Sequence, residues 1–314
     1  KVSLEEDLIR RDLTINAMAM DEESKEIIDP YNGQEDLKNK ILKHVSAHFV
    51  EDPLRVLRVA RFHARFPDFS IDASTLELMK NITESGELQT LSSERILEEL
   101  TKAFLTPNPH QFFETLENCG ALSELFPSLG HLKSSKNNML NISDWDYSFQ
   151  VLNLAKTFDF SLDLLFASFF MIFGKSPKKG QREKDIKKLE RTLEGLRFPQ
   201  KARQLCLETA KHNQIGHKLL TSPAEDILEL LKKLKAFHQG HSMLPDFLKC
   251  IEIESKILNG DENMSEISSK MFSLIQELKN LDFKHLESKL KGKELGEAID
   301  KARKEMITSL IQKP

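Results

Sequence analysis

Apolar residues recur along most of the chain at intervals of three and four, the rhythm of helices packed on one face, and only 12 glycines and 11 prolines interrupt 314 residues. One stretch departs from this rhythm. Ala17-Met18-Ala19-Met20, a charged turn from Asp21 to Lys25, and Glu26-Ile27-Ile28-Asp29-Pro30 read as a β-hairpin closed by proline. A lone hairpin is marginal in water. Nothing later in the sequence supplies strands for it, so they are expected ahead of Lys1, in a longer protein of which this chain is the inner part. From residue 52 to about 130, helix starts are signalled by Glu51-Asp52-Pro53, Ser92-Ser93-Glu94 and Thr106-Pro107-Asn108-Pro109. Their short connections predict antiparallel helices. Residues 131–143, rich in Ser, Asn and Lys, read as a linker. A second helical block then runs to about Gly260, and a third, rich in Lys and Glu, from Glu262 to the end. The fold class is predominantly α, and the absence of a repeat argues against a solenoid.

Composition narrows the setting. Hydrophobic residues at 39% and charged residues at 30% give enough apolar material for folded cores. A balance of 45 basic against 49 acidic side chains means that a nucleic-acid partner must be met by a local basic face. Cys119, Cys206 and Cys250 lie far apart without a C-x-x-C, which excludes a disulfide framework and a zinc ribbon and predicts a reducing, cytoplasmic location. The longest apolar run, residues 164–173, is broken by Ser168 and closed by Gly174 and Lys175, too short to cross a bilayer. No membrane partner is expected.

The strongest chemical pattern is the helix expected to begin at Asp52. Asp52, Arg55, Arg58, Arg61 and Arg65 follow at spacings of three, three, three and four, opposite an apolar stripe of Leu54, Val56, Leu57, Val59 and Phe62. A solvated face ordinarily mixes Lys with Glu; here every cation is Arg, suited to planar, bidentate recognition. A carboxylate only accepts hydrogen bonds and a guanidinium only donates them. Cytosine and adenine both present an amine donor beside a ring-nitrogen acceptor, and guanine and uracil present the reverse. An Asp52/Arg55 pair is therefore matched to C and A. A second pattern, Arg10-Arg11-Asp12-Leu13-Thr14-Ile15-Asn16, offers one arginine for a phosphate and another to pair with Asp12. In a third, Asp29-Pro30-Tyr31-Asn32-Gly33, Asn-Gly makes a turn, and Asp36 is expected to cap the next helix.

Taken together, RRDLTINAMA (Arg10 to Ala19), IIDPYNGQEDL (Ile27 to Leu37), EDPLRVLRVARF (Glu51 to Phe62) and SERILEEL (Ser93 to Leu100) resemble, in order and spacing, the motifs of class II tRNA nucleotidyltransferases, the CCA-adding enzymes, in the bacterial form with an HD domain. The resemblance continues through Phe112 to Leu129 and, more weakly, to Gly292-Lys293-Glu294-Leu295-Gly296. It implies an elongated helical neck, body and tail carrying a hairpin remnant of an α/β nucleotidyltransferase head: residues 1–45 from the head, 46–132 the neck, 133–260 an HD-like body and 261–314 the tail. It implies template-free addition of C, C and A to tRNA from CTP and ATP, with tRNA rather than DNA as partner. Asp52 and Arg55 match the family's base-reading residues, Arg58 and Arg61 its nucleotide positions, and Arg10, Arg11, Asp12 and Asn16 its RRD motif. Between Lys175 and Arg203, eleven Lys or Arg stand against four acids; Lys178, Lys179, Arg182, Lys184, Lys187 and Lys188 are the candidates to contact tRNA phosphates.

Two departures from the family pattern carry expectations of their own. The family's Mg²⁺-binding Asp-x-Asp precedes the RRD motif and is absent here, so Mg²⁺ is expected from a segment upstream and the chain alone is expected to be inactive. The single Asp-x-Asp, Asp144-Trp145-Asp146, reads as a helix cap. The HD metal ligands fall near Asp146 or Tyr147 and on Met171-Ile172, and Met and Ile cannot hold a hard cation; His212 and His217 do not share a face. No hydrolase activity is expected. The alternatives are a bacterial poly(A) polymerase, which shares two of these motifs, and a non-catalytic RNA-binding remnant.

Overall fold

The computed structural model describes residues 3–137, 140–176, 178–238, 240–260 and 264–311. The chain forms two compact units, one of Lys1–Ser135 with Thr192–Phe198, the other of Lys136–Arg191 with Pro199–Pro314.

In the first unit, helix α1 (Leu4–Leu8) starts at a capping box, with the Ser3 hydroxyl accepting from the Glu6 amide and the Glu6 carboxylate from the Ser3 amide. The hairpin follows as β1 (Ala19–Met20) antiparallel to β2 (Ile27–Ile28), pairing Ala19 with Ile28 and Met20 with Ile27. After α2 (Gly33–Lys38), strand β3 (Ile41–Leu42) runs parallel to β4 (Ser70–Ile71), a pairing that periodicity does not predict because each strand is two residues long. Between them lies α3 (Leu54–Arg65), and beyond them α4 (Ala73–Glu84), α5 (Ser93–Phe104), α6 (Pro109–Asn118) and α7 (Ala121–Leu125). Leu54, Val56, Leu57, Val59, Ala60 and Ala64 of α3 are buried against α5 and α6. Phe62, expected in this stripe, stays half-buried at its margin under the Arg61 guanidinium, 4.6 Å from the ring centre. Phe104, Phe112, Phe113 and Phe126 complete the core in edge-on contacts. The segment 192–198 joins this unit through Ser128–Thr192 (2.6 Å) and Arg197–Glu94.

In the second unit, β5 (Lys136–Asn137) and β6 (Ile142–Ser143) form a small antiparallel pair within the stretch read as a linker, of which residues 138 and 139 lie outside the described residues. Helices α8 (Asp144–Lys156), α9 (Leu162–Phe170), α10 (Lys179–Gly195, whose end from Thr192 belongs to the first unit), α11 (Gln200–Gly216), α12 (Ala224–Lys233) and α13 (Leu244–Asn259) follow, then α14 (Met264–Lys279), α15 (Lys284–Glu287) and α16 (Gly292–Ile311). Helix α9 is apolar on nearly every side, and residues 164–170 are all buried, which makes it the central helix of this unit. It ends in a 3₁₀ turn, Met171–Gly174, that touches α11 backbone to backbone: a Cβ on Gly174 would collide with the carbonyl of Ala210. Among the described residues no helix is long and apolar enough to cross a membrane.

Candidate nucleotide site

The acidic start of the arginine helix lies one step further out than the sequence predicts. Asp52 has extended backbone (φ −134°, ψ 104°), Pro53 turns the chain, and α3 begins at Leu54. From there Asp52 acts as a cap, its Oδ1 accepting from the Leu54 amide at 3.1 Å. Arg95 of α5 adds a second hold, its Nη2 reaching Oδ1 at 3.0 Å and Oδ2 at 2.7 Å. A carboxylate has roughly four lone-pair positions, so the Oδ2 edge keeps an acceptor position; the Asp52 side chain is 35% exposed. Arg55, in the first turn, donates from Nη1 to the His48 carbonyl and from Nη2 to the Arg10 carbonyl. Its remaining N–H groups are uncommitted, and no side-chain hydrogen bond joins it to Asp52 among the described residues.

Asp12 is buried, and its partner is Arg58, whose Nε meets Oδ2 at 2.5 Å, while Asn16 Nδ2 donates to Oδ1 at 2.8 Å. Burial alone would raise this carboxyl, but the Arg58 hydrogen bond and charge, with the Asn16 bond, outweigh it and hold Asp12 below the usual range. The expectation that Arg10 or Arg11 pairs with Asp12 is therefore corrected. Arg11 sits one helical turn after Asp7 and pairs with it at 2.6 Å. Asp12 is turned inward because Thr14 N bonds the Lys43 carbonyl and Leu13 bridges to His44. Arg10 is exposed beside this link, its carbonyl engaged by Arg55.

Nor do the arginines form one open face. At about 100° per residue, each step of three turns back by about 60°, so Arg55 and Arg61 differ by roughly 120° around the helix. Arg55 and Arg58 reach the Arg10–Asp12 segment. Arg61 instead turns into α5, its Nε on Glu99 Oε2 at 2.5 Å with side chains 11% and 3% exposed. Arg65 lies over Phe66, 5.5 Å from the ring centre.

Sequence reasoning missed Arg95 and Glu99 as parts of this site. The available signal was their spacing of four behind the Ser92 cap, which puts both on the α5 face toward α3. It also misplaced the support under the RRD segment. Asp29, not Asp36, caps α2, accepting from the amides of Gly33 (2.7 Å) and Gln34 (2.9 Å). Asp36 lies within α2 and accepts from the Thr14 hydroxyl at 2.7 Å. Gly33 packs so closely that a Cβ would collide with the Thr14 carbonyl. Gly33→Ala is expected to displace the RRD segment, lower stability by roughly 1–3 kcal/mol and weaken nucleotide binding, read by urea unfolding and by CTP titration.

On the second unit, Lys178, Lys179, Lys184 and Lys187 are exposed. Arg182 is half-buried on Gln214, and Lys188 pairs with Asp185 at 3.1 Å, so four of the six candidate RNA contacts lie open. In the HD-like block, Met171 and Ile172 are buried in the 3₁₀ turn. Ser143 caps α8, and Asp146 accepts from its hydroxyl at 2.7 Å. His212 lies 3.2 Å from Glu208 and His217 2.6 Å from Glu254, two separate pairs. Among the described residues no three His, Cys, Asp or Glu side chains converge so as to hold a metal ion. The described residues therefore do not fit a Mg²⁺ centre.

Comparison with known proteins bears on the family to which the chain belongs. Residues 1–43 match the family model described as poly A polymerase head domain, and residues 68–132 the model described as "Probable RNA and SrmB- binding site of polymerase A". The chain is 37% identical to the multifunctional CCA protein of Acinetobacter baumannii over 98% of its own length and 77% of that protein. It is 35% identical to that of Pseudomonas fluorescens over 95% and 76%. Among solved structures, a CCA-adding enzyme in complex with CTP shares the fold at a TM-score of 0.62 and 22% identity, over 99% of this chain and 69% of that one. The Thermotoga maritima CCA-adding enzyme complexed with tRNA does so at 0.60 and 22%, over 99% and 70%. At more than a third identity across nearly its whole length, the chain belongs to the multifunctional CCA protein family, the CCA-adding nucleotidyltransferases.

Proposed function

We propose that this chain selects the incoming nucleotide and holds tRNA during CCA addition, with Asp52 and Arg55 taking the part of a template base. The observation that carries the reading is that both groups sit at the start of α3, each fixed by neighbours, one keeping an acceptor edge and the other spare donors. A preorganised acceptor and donor match the amine and ring nitrogen of C and A, and meet U and G with like against like. Arg10, exposed beside the Arg55 link, or Arg11, paired with Asp7, contacts the nucleotide phosphates. Asp12, Asn16 and Arg58 brace that segment from within, and the Arg61–Glu99 pair fixes α3 against α5. The substrates are CTP and ATP, the polynucleotide is tRNA, and the setting is the cytoplasm. Transfer of a nucleotidyl group of this kind uses Mg²⁺, which no group of side chains described here would hold.

Titration with CTP, ATP, UTP and GTP tests the reading: CTP and ATP should bind and UTP and GTP should not, and equal affinity for all four would contradict it. A tRNA lacking its CCA end should bind more tightly than unstructured RNA of equal length; a preference for generic RNA would favour a poly(A) polymerase. Lys178, Lys179, Lys184 and Lys187 meet tRNA phosphates. Changing all four to alanine should flatten the dependence of log affinity on log salt by about 0.7–0.9 per lost contact, measured by filter binding across a salt series.

A further inference from the structure

The second unit contains a cavity of about 450 Å³ between the first turn of α11, the turn after α12 and the first turn of α13. Lys201 and Gln204 line it from α11, Lys235 from the turn, His241 and Ser242 from the segment before α13, and Asp246 from its first turn. Its cations are poorly neutralised. Lys235 Nζ donates to the neutral Gln204 Oε1 at 3.2 Å, and Lys201 has its carboxylate neighbour, Asp163, only at 3.9 Å. The one acid of the lining, Asp246, is shared with Lys249 at 4.0 Å. Two lysines, a histidine and amide and hydroxyl donors around one acid make a lining that favours a compact anion over a cation or an apolar group. The amino end of α11 adds to that preference, since Pro199 offers no side-chain cap and the macrodipole favours negative charge there, whereas the first amide of α13, that of Leu244, is already held by the Ser242 hydroxyl at 3.3 Å. Lys201 also belongs to the cation-rich stretch between Lys175 and Arg203.

We propose that this cavity is a phosphate-binding site whose ligand is a backbone phosphate of bound RNA, held by Lys201 and Lys235. A phosphodiester carries a single negative charge and exposed oxygens, which two lysines and the donors of Gln204, Ser242 and His241 can surround. The inference rests on the tRNA binding proposed above but is separate from base reading, because every residue of the cavity lies in the second unit and Asp52 and Arg55 lie in the first.

The test is the double variant Lys201→Ala, Lys235→Asn in the full chain. Lys235 has left-handed backbone (φ 53°) just past the end of α12, and asparagine suits that conformation, so the charge is removed without strain. Two measurements are paired: tRNA affinity across a salt series, and the shift of the His241 ring signals in NMR on adding inorganic phosphate, with His241→Gln to identify those signals. The proposal expects the salt slope to fall by about one to two and the phosphate-induced shift to disappear, with CTP and ATP binding unchanged. Loss of the phosphate response with an unaltered tRNA slope would keep the phosphate site but overturn RNA as its source, in favour of a free phosphate-bearing ligand. An unaltered slope together with no phosphate-dependent shift in the parent protein would overturn the site itself. A fall in CTP and ATP selectivity would also count against it, because the cavity would then not be independent of base reading.

Discussion

Replacing Glu254 by alanine should destabilise the second unit by roughly 3–5 kcal/mol, the usual consequence of removing one partner from a buried ionic cluster. Glu254 is fully buried on α13, and three groups converge on its carboxylate: Tyr147 Oη and Lys175 Nζ on Oε1 at 2.7 and 2.6 Å, and His217 Nε2 on Oε2 at 2.6 Å. His217 Nδ1 in turn meets the Ser255 hydroxyl at 3.0 Å. Burial would raise the Glu254 carboxyl, but the His217 hydrogen bond and the Lys175 charge overcome it and hold it below the ordinary glutamate value. Burial, together with the same carboxylate, pushes the Tyr147 phenol upward, so Tyr147 stays a donor. Without the carboxylate, Lys175 and Tyr147 keep polar groups in a site with little water, since the Lys175 side chain is only 19% exposed. Lys175→Met, which leaves the Glu254 carboxylate its Tyr147 and His217 partners, should cost less than Glu254→Ala. The depressed carboxyl also sets a pH dependence. Its contribution is fully present above the unfolded glutamate value of about 4.3 and is lost as pH falls below that through the folded value. Urea unfolding of parent and Glu254→Gln proteins should therefore differ at neutral pH and converge in acid. A neutral-pH difference below about 1 kcal/mol would mean that the cluster is not a structural centre.

That cluster also shows where reading the sequence stops. The segment Ile251-Glu252-Ile253-Glu254 alternates apolar with acidic residues, so Glu254 looks like a solvated position, and only the packing of α8, α11 and α13 around it makes it buried. Helices were legible because a buried face repeats every three to four residues whatever it packs against. The hairpin was legible because a charged turn separates two apolar runs that pair Ala19 with Ile28. The β3–β4 pair was not, because it joins residues nearly thirty positions apart through strands too short to have a period. In the site, the residues carrying spare hydrogen-bonding capacity, Asp52 and Arg55, were visible as a local pattern one turn apart. The residues that hold them were not: Arg95 lies 43 positions from Asp52, and the carbonyl of Arg10 lies 45 from Arg55. The arginine face was over-read for a related reason, since regular spacing says nothing of which guanidinium meets a buried acid such as Glu99.

Loss of the Arg55 guanidinium is expected to have the largest effect on nucleotide choice. A bidentate side-chain–base pair contributes roughly 1–3 kcal/mol of discrimination, so Arg55→Ala should narrow the preference for CTP over UTP by about fivefold to 150-fold. Both arms of the measurement are equilibrium titrations, CTP against UTP and ATP against GTP, on parent and variant. Arg55 also satisfies the carbonyls of His48 and Arg10, and a control for folding is needed. The bond to the Arg10 carbonyl is exposed and that to the His48 carbonyl half-buried, so urea unfolding should show a loss of no more than about 1–1.5 kcal/mol. Asp52→Asn provides the complementary test, because its amide can present a donor where the carboxylate only accepts, and cytosine should then lose more affinity than uracil. Arg95→Ala separates reading from positioning. It leaves both reading groups in place but frees Asp52 from the hold at 2.7 and 3.0 Å, so selectivity should fall by less than in Arg55→Ala, and Arg95→Lys should restore part of it. Equal loss in Arg95→Ala and Arg55→Ala would assign direct base contact to Arg95. Unchanged selectivity in all three variants would remove Asp52 and Arg55 from base reading, leaving Arg10 or Arg11 to bind phosphates common to every nucleotide.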